Sequence, residues 1–364
     1  MREFVNAYTF ANSANLSFIV GGFYWDGAGI IINAWTQQRL VIKMDSDGQC
    51  DHMDVEITAG LGLPEEITVV VRVSFAYGNI QYCDITDVLR SVIDRTMRSA
   101  IADTSTRGFI KITQKDAGDN TIDEPYKGEF GYYDAIVMSP SSIMQPSSYH
   151  LLPDTFRLPS SIASFEPQGC TRMTGNAGII RLIGSGGTIV GSVTSDKDQR
   201  TYGWGFHTLG QITEVRVLDS LGGIVEKARV IWEAECGSDK ILLTWWSPVF
   251  GGWKSVLADV MRHDDNIGNT QDYLLKFDSR QAKSGRLGWE VRIPNCTSRD
   301  YEYYRDIYYS DNVFTHELVT YDTDNDKSDI MYTVRVGGTP PNSQVVGTTD
   351  MTINLTMQEV SSIW

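Results

Sequence analysis

Met351-Thr352-Ile353-Asn354-Leu355-Thr356-Met357-Gln358 alternates apolar and polar side chains without a break. Successive side chains of a β-strand point to opposite faces, so a period of two predicts a strand with one face buried and one wet. Tyr332, Val334 and Val336 repeat the pattern against Thr333 and Arg335, and Gly337-Gly338-Thr339-Pro340-Pro341-Asn342 separates the two segments. Glycine and proline punctuate loops, so a hairpin-like pair of strands closes the chain.

The same signal runs upstream. Leu16–Val20, Arg39–Met44, Ile67–Phe75, Phe109–Thr113, Gly178–Ile183, Ile212–Leu218, Ile224–Glu235, Ile241–Trp246, Tyr273–Phe277, Leu287–Ile293 and Asn312–Tyr321 are rich in β-branched and aromatic residues, which pack well on a pleated surface. Most are bounded by Gly, Asp, Asn or Ser, and 33 glycines supply turns. Helical patterns do not alternate with these segments, so the expected fold is mainly β, with two or more β-sandwich or barrel-like domains.

One segment departs from the pattern. Ile85, Val88, Leu89, Val92, Ile93, Met97, Ala100 and Ile101 recur at intervals of three and four, behind an Asp84 able to accept the first free N–H groups. This predicts one amphipathic helix over about 84–102, with Arg90, Arg95 and Arg98 on its solvated face.

A length of 364 residues suggests two or three domains. Between 139 and 167 lie five of the eleven prolines, interleaved with serine pairs. Proline removes a donor and fixes φ, so this stretch is expected to be neither a central strand nor a helix interior. It divides a β-rich domain over 1–138 from a β-rich region over 168–364 with room for two sub-domains. The stretch also carries Ile143, Met144, Tyr149, Leu151, Leu152, Phe156 and Leu158. A solvated linker needs none of them, so they are expected to pack as an arm on a neighbouring subunit, with a well-packed interdomain connection covered by the chain's own domains as the alternative.

Composition excludes several function classes. A net charge of −15 opposes nucleic acid and anionic membrane surfaces. Five widely spaced cysteines make neither a disulfide framework nor a zinc site. Neither a leader nor an apolar run of about 18 residues occurs, so synthesis and folding in a cytoplasm are expected.

Chemistry-bearing motifs are incomplete. Gly184-Ser185-Gly186-Gly187-Thr188 lacks the spacing of a nucleophile elbow and the lysine of a phosphate loop, and reads as a hairpin turn between Ile183 and Ile189. His316-Glu317 begins like a zinc-protease motif, but position 320 is Thr and the segment alternates like a strand. Asp322-Thr323-Asp324-Asn325-Asp326 spaces its carboxylates like a calcium loop, yet Lys327 stands where the turn glycine belongs and Thr333 where the bidentate Glu belongs. The expectation is therefore no catalytic residue, no cofactor and no metal. Nine tryptophans and seventeen tyrosines keep a carbohydrate-binding or carbohydrate-cleaving alternative open. The cluster Tyr301, Tyr303, Tyr304, Tyr308 and Tyr309 is compatible with buried packing or with an interface, where tyrosine is enriched.

Two stretches carry a family resemblance. Gly78-Asn79-Ile80-Gln81-Tyr82-Cys83-Asp84-Ile85-Thr86-Asp87-Val88-Leu89-Arg90-Ser91 resembles a strand-into-helix passage in tail and baseplate proteins of phages infecting Bacteroidetes. Ile241-Leu242-Leu243-Thr244-Trp245-Trp246-Ser247-Pro248-Val249-Phe250-Gly251-Gly252-Trp253 resembles their strand, Gly-Gly-aromatic turn and following strand. The resemblance implies a non-enzymatic hub, ring or baseplate subunit of a virion tail, assembling with copies of itself and with other tail proteins. Candidate interface residues are Met144, Tyr149, Leu151, Phe156, Tyr304 and Tyr308.

Overall fold

The computed structural model describes residues 8–9, 16–20, 31–35, 39–44, 50–74, 80–122, 125–135, 151–160, 166–173, 177–195, 200–206, 212–233, 240–266, 286–320, 327–338 and 348–359. Tyr273–Phe277, the acidic turn 322–326, Met144 and Tyr149 lie outside them. The protein is mainly β, as its period-two segments predict, and falls into two compact units. One comprises residues 1–96 and 104–138, the other 97–103 and 139–364. Among the described residues, no helix is long and apolar enough to cross a membrane.

The first unit holds two sheets. Leu16–Val20 and Arg39–Met44 pair antiparallel inside a four-stranded sheet that ends on Ile80–Asp84. The other sheet has five strands, in the order Ile31–Asn33, Tyr126–Tyr133, Thr106–Lys115, His52–Ala59 and Ile67–Ser74. Alternate residues of its central strands, among them Met53, Val55, Ile57, Ile110 and Ile112, form the core of this unit.

The helix is shorter than its periodicity predicts, spanning Thr86–Ser91, with the backbone extended at Val92. Asp84 does accept the Thr86 N–H, at 3.0 Å. Beyond Ser91 tertiary partners replace the helical ladder. The Tyr132 hydroxyl donates to the Val92 carbonyl at 2.5 Å, and the Asp94 N–H donates to Thr106 Oγ1 at 2.7 Å. Val92 and Ile93 are β-branched and yield helix readily to such competition. Gly60, at φ +68°, comes so close that a Cβ there would collide with Val92 Cγ1. Arg90 is not merely solvated: its Nε donates to the Ala34 carbonyl at 2.7 Å.

The second unit combines a five-stranded sheet, a three-stranded sheet and a closed six-stranded barrel around one continuous core. Barrel order is Lys240–Ser247, Gly252–Asn266, Arg286–Cys296, Thr349–Glu359, Lys327–Gly337 and Val313–Thr320, all antiparallel, with the last pairing back onto the first. Met351, Ile353 and Leu355 are buried while Thr352 and Asn354 are exposed, as their alternation requires. Gly186 and Gly187, at φ +74° and +80°, turn the hairpin that pairs Ile183 with Ile189.

Part of the proline-rich stretch belongs to this unit's own fold. Thr155–Pro159 is an edge strand lying parallel to Ile224–Glu233, where a missing N–H is tolerated. Leu151, Leu152, Phe156 and Leu158 are buried in the core of the same chain. The expected cover by a neighbouring subunit is thus replaced, over 151–159, by cover from the chain itself.

Candidate functional site

A polar cluster of the second unit is buried where the barrel meets a helical segment. Thr297 caps the helix Ser298–Tyr304 in a reciprocal capping box with Asp300, and a short 3-10 helix, Arg305–Tyr309, continues it. Asp300 Oδ1 also accepts the N–H groups of Asp154 and Thr155, at 2.9 and 3.2 Å, which ties the edge strand to the helix. Burial pushes the Asp300 carboxyl up, and its donors hold it back.

Lys254, on the Gly252–Asn266 strand, is completely buried. Its Nζ donates to the Tyr303 carbonyl at 2.6 Å and to Asp306 Oδ2 at 2.7 Å. It also stands over the rings of Phe250 and Tyr303, at 4.0 and 3.9 Å from their centroids. Asp306 Oδ1 accepts from Trp245 Nε1 at 2.8 Å, and Oδ2 accepts from the Ser247 hydroxyl. The Tyr303 hydroxyl donates to the Cys170 carbonyl at 2.7 Å. Two strands, a turn and the helical segment converge on one ammonium group.

A buried lysine can be a base or a nucleophile, so its chemistry decides the reading. Burial pulls the Lys254 amine below its usual range, and the Asp306 carboxylate beside it works against that pull. The ammonium meets a carbonyl, a carboxylate and two ring faces, which leaves a reactant no approach that does not displace one of them. Burial also pushes the Cys170 thiol up to about 12 and the Tyr303 and Tyr304 phenols well above 10, so these groups stay protonated and unreactive. The arrangement works as an internal clasp.

The first unit holds a second cluster. Ligand atoms of His52, Asp54 and Asp119 lie within 4.8 Å of one another. His52 Nδ1 is 3.0 Å from Asp51 Oδ2, and its Nε2 is 3.0 Å from Asp119 Oδ1. Arg72 already supplies the positive charge there. Its Nε and Nη2 donate to Asp54 at 2.9 and 3.2 Å, and Nη2 donates to Asp119 at 3.1 Å. The His52 hydrogen bond and the nearby guanidinium hold the Asp119 carboxyl below the usual range. This geometry joins two strands to the 116–120 turn, with Arg72 as the cationic partner of both carboxylates. Sequence spacing could not reveal it, because Asp119 lies 67 residues from His52.

The remaining candidates separate clearly. Leu151 is 3% exposed, Phe156 0% and Tyr304 1%, so none of these three presents a surface to a partner. Tyr308 is partly buried against the core, its hydroxyl donating to the Thr352 carbonyl at 3.0 Å. Trp204, Trp245, Tyr303 and Tyr304 are fully buried and offer no stacking platform for a sugar. Trp35, Tyr82 and Tyr309 are the exposed large aromatics among the described residues. His316-Glu317 lies on the Val313–Thr320 strand, as its alternation predicts.

No protein-family model matches the chain, and no curated protein matches it. Among solved structures it is similar to the periplasmic chaperone SfaE, at 10% identity over 59% of this chain and 100% of that one, with a TM-score of 0.18. It is also similar to the E. coli chaperone DraB, at 8% identity over 59% of this chain and 98% of that one, with a TM-score of 0.19. A tetra-tandem repeat from the extending region of a large adhesion protein matches at 10% identity over 90% of this chain and 96% of that one, with a TM-score of 0.22. Likeness at this level carries no argument about function.

Proposed function

We propose that the protein is a non-enzymatic structural subunit of a larger assembly, with a phage tail or baseplate as its setting. The observation that carries the first part is the buried clasp. Lys254 and Asp306 are enclosed and engaged with protein partners. A charged pair held this way fixes one arrangement of barrel and helix, which suits a part that must keep its shape under load. Strand-rich domains and an acidic surface that repels nucleic acid agree with such a role. The virion setting rests on the resemblance of segments 78–91 and 241–253 alone.

The test is direct. Tailed particles made by the source of the gene are purified on a density gradient and examined by quantitative mass spectrometry. The chain is expected at a fixed copy number per particle, with antibody label on the tail. Its absence from purified particles refutes the virion setting. Turnover of any substrate that disappears on substituting a single Asp or Glu refutes the non-enzymatic reading.

A further inference from the structure

The outer edge of the five-stranded sheet in the first unit lacks the features that normally protect an edge. Ile67–Ser74 pairs with His52–Ala59 through eight consecutive residue pairs with no register shift, and among the described residues no strand pairs with its other side. Edge strands are usually kept from unwanted pairing by being short, by proline, by bulges or by several charges. This strand is eight residues long, Ile-Thr-Val-Val-Val-Arg-Val-Ser, with one charge and no proline. Its core face, Ile67, Val69, Val71 and Val73, is wholly apolar, with Ile67 40% exposed, and Val70 on the otherwise polar opposite face is 60% exposed. By contrast, the barrel of the second unit has no edge, and the Thr155–Pro159 edge carries a proline.

We propose that Ile67–Ser74 is a docking edge for the same strand of a second copy of this chain, paired antiparallel about Val69. The argument for a copy is charge complementarity. With Val69 opposite its counterpart, Thr68 faces Val70, Ile67 faces Val71, and Glu66 faces Arg72, each pair occurring twice by symmetry. Within a copy, Glu66 engages the Gly62 N–H through Oε2, and Arg72 engages Asp54 and Asp119 through Nε and Nη2. Other registers one or two residues away oppose Glu66 to an apolar or small residue. Pairing in this register joins two five-stranded sheets into one, extends the core face of Ile67, Val69 and Val71 across the axis, and covers Val70. The inference rests on the assembly reading above and names one of its contacts.

The test is the oligomeric state of the full chain by sedimentation velocity across micromolar concentrations. A dimer is expected. Glu66→Arg and Arg72→Glu are each expected to be monomeric when alone, because each opposes like charges twice. An equimolar mixture of the two is expected to dimerise, because both opposite-charge pairs return. The double variant Thr68→Lys, Val70→Lys sets lysines against lysines and is expected to stay monomeric with an unchanged circular dichroism spectrum. A wild-type monomer overturns the proposal. So does a dimer that survives Glu66→Arg and Arg72→Glu alike, or a mixture that fails to recover. If the lysine variant misfolds, the mixing experiment still decides. A monomer that nonetheless incorporates into purified particles rejects this edge and leaves the assembly reading standing.

Discussion

Removing the carboxylate at position 306 tests the buried clasp most directly. Asp306→Ala takes away the counter-charge of a completely buried ammonium and leaves the Trp245 N–H and the Ser247 hydroxyl without an acceptor. Breaking a buried pair from one side costs about 3–5 kcal/mol, which for a unit of this size is a fall in Tm of roughly 6–20 °C. The stranded lysine can escape by losing its proton, and that sets both a ceiling and a pH dependence. Holding a lysine neutral at pH 7 costs about 4.6 kcal/mol when its unfolded value is about 10.4. The unfolded chain then binds the extra proton, so the variant gains stability relative to wild type as pH rises, by up to about 2.7 kcal/mol between pH 7 and 9. Urea unfolding followed by tryptophan fluorescence, with Trp245 as an internal reporter, measures both quantities. Lys254→Met serves as the comparison, because Asp306 keeps its Trp245 and Ser247 donors and the loss is expected to be smaller, about 1–3 kcal/mol. The reasoning is refuted if Asp306→Ala stays within about 1 kcal/mol of wild type. It is equally refuted if the deficit does not shrink at high pH.

Other perturbations reach different parts of the molecule. Val92→Asp places a charge on a residue 7% exposed and in contact with Gly60, and is expected to cost several kcal/mol; a variant that melts with wild type shows that this face is not packed. Phe156 touches Trp204, Phe206 and Tyr303 with ring centroids 6.3, 5.1 and 5.7 Å away, so Phe156→Ala is expected to lose about 3–5 kcal/mol by chemical denaturation. Burial pulls His316 down to about 4, below its unfolded value of 6.5. The unfolded chain therefore binds more protons in that interval, and stability is expected to fall as pH drops from about 6.5 to 4, by about 3 kcal/mol, a dependence that His316→Gln removes. A glycan array and a reducing-sugar assay are expected to be silent, since the large tryptophans of the core face inward; saturable binding to any glycan revives the carbohydrate alternative.

Strands were the legible part. Leu16–Val20 and Arg39–Met44 have the bounds that composition alone assigns, because β-branched residues flanked by turn residues leave few other conformations. The helix was half legible. Its spacing is real through Ser91, but the partners that stop it, Thr106 and Tyr132, lie on other strands, and no local window contains them. The helix Ser298–Tyr304 was missed although its signal is present, a Thr297 cap with Asp300 three residues on, because the run of tyrosines behind it resembles a strand. Neither polar cluster could be read in advance. Lys254 and Asp306 lie 52 residues apart, and what makes the pair unusual is its burial, which belongs to the packed chain and not to any motif.

Barrel topology also constrains how the molecule can be made. Thr349–Glu359 is not a terminal addition but an inner stave, held between Arg286–Cys296 on one side and Lys327–Gly337 on the other. A ribosome that has delivered everything up to residue 348 has therefore produced five staves with a gap, two raw edges and an open lumen. The neighbouring pair Lys240–Ser247 and Val313–Thr320 must wait for more than sixty intervening residues before it can join. The first unit is complete once residue 138 has emerged, whereas the barrel closes only after Thr349–Glu359 arrives. During that interval the barrel has two unpaired edges, so chains cut short before residue 349 are expected to aggregate and not to fold as a smaller barrel.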